Sequence, residues 1–94
     1  MILMRRFCGM KLSKLIWDLW NVRHIARHNI IPEDVEAVCH GSPLVLRGQQ
    51  KRRVVLLGTT EHGEILAVVL EAKGDEAYYP ITAYQADKND SALY

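Results

Sequence analysis

The second half of the chain is a succession of β-rich runs separated by short gaps that contain glycine. The runs cover residues 44–47, 53–57, 65–71 and 77–84. Gaps of this length join neighbouring strands as hairpins, whereas parallel strands need long crossover connections. The sequence therefore predicts an antiparallel meander of four strands.

The composition of two of these runs predicts whether each is a central strand or an edge strand of the sheet. Residues 65–70 are apolar at every position, which is typical of a central strand that is buried on both faces. Pro80 has no amide hydrogen to donate, so the last run is expected to form an edge or a bulge at that residue. Residues 86–93 could form a short final helix, although they are rich in Asp, Asn and Ser, which are weak helix formers.

The pattern before residue 44 is mainly helical. Residues 14–17 alternate like a short strand, and Asp18 is suited to cap a first helix that runs to about His28. Asn29 is a suitable end for that helix because Asn tolerates the left-handed conformation. The apolar positions at helical spacing in this segment are Leu19, Val22, Ile25 and Ala26.

A second helix is indicated from Pro32, with acidic residues in its first turn where they favour the helix dipole. Val35, Val38 and Cys39 form its apolar stripe, and the helix is expected to stop at Gly41. Two helices followed by a meander predict an α+β domain with both helices packed on one face of a small antiparallel sheet.

Composition agrees with a single folded domain. The chain has 94 residues, of which 49% are hydrophobic, and a net charge of +1, so disorder is excluded. No apolar run approaches the roughly 20 residues of a membrane helix. Cys8 and Cys39 belong to no C-x-x-C pair and are expected to be reduced thiols, as in the cytoplasm. We expect one domain over residues 14–94, preceded by an unassigned leader over 1–13.

Charge is distributed unevenly along the chain. Residues 1–53 contain ten Lys or Arg and four acids, a net charge of +6, whereas residues 54–94 contain two Lys and seven acids, a net charge of −5. A fold that gathers the basic half on one face would attract polyanions. The alternative is an ordinary solvated surface of mixed charge.

Several short motifs occur in an order that resembles the BrnT-type toxins. They are Trp17-Asp18, Asn21-Val22, His24-Ile25-Ala26-Arg27-His28, Pro32-Glu33-Asp34-Val35-Glu36, the strand segments 53–60 and 65–70, and Ile81-Thr82-Ala83-Tyr84. The resemblance covers about residues 14–94 and leaves residues 1–13 unmatched. It implies a fold like the RelE and ParE toxins and a metal-independent ribonuclease, without a cofactor, that arrests translation.

The same resemblance implies partners. RNA would be the substrate, and a small antitoxin of the ribbon-helix-helix type would bury the active face and repress the shared operon. DNA would then be contacted only through the antitoxin complex, and no membrane would be involved. A basic recognition helix of the helix-turn-helix kind is absent from the sequence, which agrees with this expectation.

Two departures from the family pattern leave a second function open. Thr82-Ala83-Tyr84 stands where the family usually carries Ser-Ala-Arg, and the C-terminal segment keeps only Lys88 of the usual basic residues. Both changes remove positive charge that would hold RNA phosphates. The alternative is a non-catalytic protein-interaction module that retains the same fold.

Metal-free RNA cleavage must deprotonate the 2′-hydroxyl, stabilise the charge of the phosphorane and protonate the leaving 5′-oxygen. The resemblance places these tasks on Arg27, His28, Arg53 and Tyr84, where Tyr84 replaces the family's arginine and could donate a proton or stack on a base. The residues expected to hold RNA phosphates are Arg23, Lys51 and Arg52.

Each candidate has a simpler interpretation. His24 and His28 are one helical turn apart, but no third ligand is evident and a metal site is not expected. Arg23 and Arg27 could be the solvated face of a helix, and the basic hairpin at 51–53 could serve solubility. Trp17 and Trp20 are interpreted as core residues.

Overall fold

The structure is a computed structural model of the chain, and it describes residues 4–6, 14–41, 43–47 and 52–86. The elements are β1 (Met4–Arg6), β2 (Lys14–Leu15), α1 (Leu19–Ala26), α2 (Pro32–His40), β3 (Leu44–Arg47), β4 (Arg53–Thr59), β5 (Ile65–Gly74) and β6 (Ala77–Gln85). The strands form one sheet in the order β1-β3-β4-β5-β6-β2. The predicted α+β class is confirmed.

The four strands β3 to β6 pair antiparallel in sequence order, so the predicted meander is confirmed. At one edge β1, within the segment that the sequence left unassigned, pairs antiparallel with β3. At the other edge β2 pairs parallel with β6, so the expectation of a wholly antiparallel sheet is wrong there. The reason is that β2 and then α1 follow β6 in the same direction, from Tyr79 beside Asp18 to Gln85 beside His28.

Local sequence chemistry sets the ends of both helices. Asp18 caps α1, since its carboxylate accepts the amide of Asn21 at 3.0 Å while the Asn21 side chain accepts the amide of Asp18 at 2.9 Å. The regular helix ends at Ala26, two residues before the predicted end, and Asn29 takes the predicted left-handed conformation with φ of 60°. Helix α2 has Pro32 in its first turn, as predicted.

Pro80 causes the predicted irregularity in β6. Val69 pairs with Thr82 and Leu70 pairs with Pro80, so Ile81 is an extra residue on the β6 side. A bulge of this kind accommodates a residue that cannot donate to the ladder. The same strand lies next to β2 only at Ala77 and Tyr78.

The core lies on both faces of the sheet, and both helices cover the same face. Ile25 of α1 and Val35 and Val38 of α2 pack with Leu56 and Val68 of the sheet. The opposite face carries a smaller cluster of Leu44, Leu46, Leu57 and Ala67. Strand β5 contributes to both clusters, which confirms that it is a central, buried strand.

Helix α1 packs on the sheet through a narrower stripe than the sequence predicts. Asn21 and Ile25 are fully buried, whereas Leu19 is 64% exposed and Trp20 is 56% exposed. The interpretation of Trp20 as a core residue is therefore wrong, while Trp17 is partly buried and packs against the core as predicted. The cap explains the difference, because Asn21 turns inward to donate to the carbonyl of Ile16 and Trp20 is then directed outward.

Some of the remaining predictions concern residues that the structure does not describe. Cys39 is a buried free thiol, whereas Cys8 and the possible helix at 86–93, apart from Ala86, lie outside those boundaries. Across the described ranges, the structure contains no helix that is both long and apolar enough to span a membrane.

Candidate functional site

The outer face of α1 forms an open groove of about 400 Å³. Its lining residues come from successive turns of the helix and its C-terminal end, and they are Leu19, Trp20, Arg23, His24 and Arg27. Residues three and four apart on a helix share a face, so the chain needs no tertiary contact to bring these side chains together. The groove combines an apolar wall with cationic and titratable groups.

Three rings follow one another along this face. The rings of Trp20 and His24 are stacked, with centroids 4.8 Å apart and an interplanar angle of 9°. The ring of His28 meets His24 edge-on, with centroids 6.4 Å apart. Residues 20, 24 and 28 are one turn apart, and this spacing produces the row.

Positive charge flanks the ring row. Arg23 and Arg27 are both exposed, and helix α1 contains no acidic residue. No carboxylate within the described ranges lies within 4 Å of either guanidinium, since the ion pairs there are formed by His40, Arg53 and Lys73. An anion that approaches this face meets two arginines with which no described carboxylate forms an ion pair.

The end of α1 that carries His28 is attached to the sheet. The side chain of Gln85, at the end of β6, donates to the backbone carbonyl of His28 at 3.1 Å. This contact holds the turn after Ala26 at the edge of the sheet. The position of the His28 backbone is therefore set by β6 rather than by the helix alone.

Arg53 does not join this group. Side chains alternate along β4, so Arg53 lies with Leu57 on the face opposite the helices. Its Nε lies 3.6 Å from a carboxylate oxygen of Glu71 and, although buried, has no hydrogen-bond partner among the described residues. The Nζ of Lys73 lies 2.6 Å from the other oxygen of the same carboxylate.

Glu71 is the centre of this second cluster. A hydrogen bond from Lys73 and the charge of Lys73, followed by the smaller effect of Arg53, hold the pKa of the Glu71 carboxyl below its ordinary value. The guanidinium of Arg53 thus faces a carboxylate that an RNA phosphate would have to displace.

Tyr84 also lies on the face opposite the helices, since it pairs with Ala67 of the smaller core cluster. Arg53 pairs with Glu71, four residues further along β5. Strand geometry therefore separates the two backbones by roughly 13 Å along the strands and about 10 Å across them. Arg27 and His28 are adjacent in sequence, and the fold places Arg53 on the other face of the sheet. Tyr84 precedes Gln85, whose side chain contacts the carbonyl of His28, so the Tyr84 backbone lies near the end of α1.

The remaining predicted residues fall in different places. Arg23 lines the groove, Arg52 is exposed beside Arg53, and Lys51 lies outside the described residues. Trp20 is a surface residue that its residue type did not predict. The available signal was the Asp18-x-x-Asn21 capping box, which fixes Asn21 inward and thereby turns the preceding residue outward.

Over the described part of the chain, no group of three His, Cys, Asp or Glu residues is arranged to hold a metal ion. No family model, curated protein or solved structure matches this chain. What its surface can do is therefore inferred from its own residues.

Proposed function

We propose that this protein is the toxin of a type II toxin–antitoxin system, with a RelE-like fold, and that it cleaves RNA without a metal ion in the cytoplasm. The order of the BrnT-like motifs supports the family, and one observation supports RNA as the ligand. That observation is the row of Trp20, His24 and His28 beside Arg23 and Arg27, on a helix without acidic residues. The partner would be a ribbon-helix-helix antitoxin.

The two histidines suit the proton transfers of RNA cleavage. Imidazole can both accept and donate a proton near neutral pH, and rings 6.4 Å apart are near enough to contact oxygens of one phosphodiester. One ring takes the proton of the 2′-hydroxyl while the 2′-oxygen bonds to phosphorus. The other protonates the 5′-oxygen as its bond to phosphorus breaks, which leaves a 2′,3′-cyclic phosphate and a 5′-hydroxyl.

The arginines would stabilise the charge that develops in this reaction. Arg27 is adjacent to His28 in sequence, and Arg23 lines the same groove. A guanidinium can donate two parallel hydrogen bonds to a phosphate, and it acts most strongly on the extra charge of the phosphorane. We therefore assign cleavage to Arg27, His28 and His24, with Arg23 as a phosphate contact.

Arg53 and Tyr84 are the other predicted catalytic residues. Arg53 lies on the face of the sheet opposite α1, whereas Tyr84 precedes Gln85, which contacts the end of α1. Participation of Arg53 would require the RNA to reach the other face of the sheet. Arg53 is therefore useful as a matched control, since Arg53→Ala and Arg27→Ala remove the same charge from opposite faces.

The test is induced expression of the chain in a bacterial host, with growth and total RNA integrity followed over time. Growth arrest and RNA loss that disappear in Arg27→Ala and His28→Ala but persist in Arg53→Ala are the expected results. Loss of activity in Arg53→Ala alone would overturn the assignment to α1. Purified wild-type protein that leaves RNA intact at high concentration would overturn the ribonuclease itself.

A non-catalytic interaction module is the second candidate. Leu19, Trp20 and Ile31 are large apolar side chains that are each more than half exposed, and a protein partner could cover them. The position of Arg53 on the face of the sheet opposite His28 also favours this candidate. Harmless expression, intact RNA and a stable complex with the product of the neighbouring gene would support it.

A further inference from the structure

Trp20 is the least expected residue of the α1 groove. Trp20 is 56% exposed although its side chain is large and apolar, whereas Asn21 and Ile25 of the same helix are fully buried. His24 stacks on one side of the ring at 4.8 Å and restricts its orientation. Because a parallel stack on His24 covers only one face of the indole, the other face is the one that a flat ligand could contact.

We infer that Trp20 is a stacking platform for one unpaired nucleobase of single-stranded RNA. The base would continue the stack of His24 and Trp20, and the neighbouring phosphates would lie against Arg23 and Arg27. This inference rests on the proposed function in taking RNA as the ligand. It concerns binding alone and requires no cleavage.

The dimensions and walls of the groove fit such a ligand. Its volume of about 400 Å³ lies in the range of roughly 300–1,000 Å³ that is usual for small-molecule sites. Leu19 supplies an apolar wall beside the indole, and the two arginines supply the polar side. A nucleotide likewise has a flat base, which suits the apolar side of the groove, and a charged phosphate, which suits the arginines.

Charge favours a nucleic acid over an apolar peptide as the occupant. The described residues that line the groove include two arginines and no carboxylate, so an anionic chain gains from the phosphates that it places there. Stacking of a base on an aromatic ring tolerates any sequence, because every base has a π-face. A base inside a duplex is already paired and stacked, and duplex RNA is therefore expected to be excluded from the platform.

The experiment uses a twelve-residue 2′-O-methyl RNA of mixed sequence, which cannot be cleaved, and the stable duplex that it forms with its complement. Binding is followed by intrinsic fluorescence in Trp17→Phe, which leaves Trp20 as the sole tryptophan. The single strand should quench Trp20 and the duplex should not. In the wild-type background, Trp20→Leu should weaken binding of the single strand about tenfold, and Trp20→Phe should weaken it less.

Unquenched Trp20 fluorescence, or equally tight binding by Trp20→Leu, would overturn the platform. So would equal quenching by the duplex. If Arg23→Ala and Arg27→Ala weaken binding while Trp20→Leu does not, the platform fails and RNA binding by α1 stands. If Trp20-dependent binding is found but unmodified RNA stays intact, the platform stands and the ribonuclease fails.

Folding is checked separately in each variant. Trp20 is exposed, so Trp20→Leu and Trp20→Phe should keep the far-ultraviolet circular dichroism of the wild type. Trp17 donates from its indole nitrogen to Glu36 at 2.9 Å and contacts the core, so Trp17→Phe is the variant more prone to unfold. Should it unfold, the difference in quenching between wild type and Trp20→Leu gives the same readout.

Discussion

The phenol oxygen of Tyr79 lies 3.0 Å from both carboxylate oxygens of Asp18, which is 61 residues earlier in the chain. Asp18 is the cap of α1, so strand β6 fixes the start of the helix at this contact. The bond from Gln85 to the carbonyl of His28 fixes its other end. Helix α1 is thus held at both ends by one strand, and its outer face carries the exposed side chains of Leu19 and Trp20.

Tyr79→Phe is expected to lower the free energy of unfolding by about 1 kcal/mol, since it removes a hydrogen bond to a charged acceptor. The measurement is urea unfolding at pH 7. Tyr78→Phe is the matched control, because the Tyr78 ring packs on the core and its hydroxyl bonds to none of the described residues. Equal losses in the two variants would contradict a role for the Asp18 contact.

Tyr79 also predicts a dependence of stability on alkaline pH. Desolvation, then the hydrogen bond and charge of Asp18, raise the pKa of Tyr79 above its ordinary value of 10.0. A raised pKa means that the contribution is complete below pH 10 and is lost as pH rises through the folded value. Wild type should lose stability there more steeply than Tyr79→Phe, and parallel pH profiles of unfolding would contradict this.

Gly58→Ala should destabilise the fold by about 1–3 kcal/mol, because α2 packs tightly over β4 at this glycine. A Cβ at position 58 would lie 2.8 Å from Cγ1 of Val38. Thermal and urea unfolding measure the effect. In Gly58→Ala/Val38→Ala the clash is removed, so the double variant should lose less stability than the two single variants predict together. Simple additivity would show that the contact is not the cause.

The Cys39 thiol should be inert in the folded protein. Burial, and to a smaller extent the charge of Glu36, raise its pKa to about 12, so almost no thiolate is present near pH 8. In Cys8→Ser, which leaves Cys39 as the sole thiol, reaction with a disulfide reagent at pH 8 should proceed only as fast as the protein unfolds. Rapid reaction without denaturant would contradict the buried placement.

Lys73→Met should raise the pKa of Glu71 toward its ordinary value, and Arg53→Ala should raise it less, since Lys73 is the larger influence. Carboxyl resonances followed by NMR during an acid titration measure both changes. With the pKa lowered in the folded state, the contribution of Glu71 to stability is present above its ordinary pKa and is lost as pH falls through the lowered value. A larger shift in Arg53→Ala would reverse the assignment.

The features that the sequence predicted correctly depend on local chemistry. Asp18 caps a helix by contacts within three residues, Asn29 adopts a left-handed turn, and Pro80 cannot donate to a ladder wherever the strand lies. Short hairpin gaps likewise allow few alternatives to a meander. Each of these features is decided by a few adjacent residues.

The features that the sequence did not predict depend on contacts between residues far apart in the chain. The face that Arg53 occupies follows from the alternation of β4 relative to both helices, and a shift of one residue would have reversed it. The parallel pairing of β2 arises because α1 follows β6, which no local pattern encodes. Its residue type predicts that Trp20 lies in the core. Asn21 is buried instead, and the residue before it on the helix therefore points to solvent.

The strands that flank the meander have a consequence for self-association. Strand β1 pairs with residues 44–46 of β3, and β2 pairs with Ala77 and Tyr78 of β6. The first fifteen residues therefore supply the outermost strand at both edges of the sheet. These outermost strands have only three and two residues and offer little template to another chain. A protein truncated before Leu19 would lose both at once and would be expected to aggregate through two newly unpaired strands.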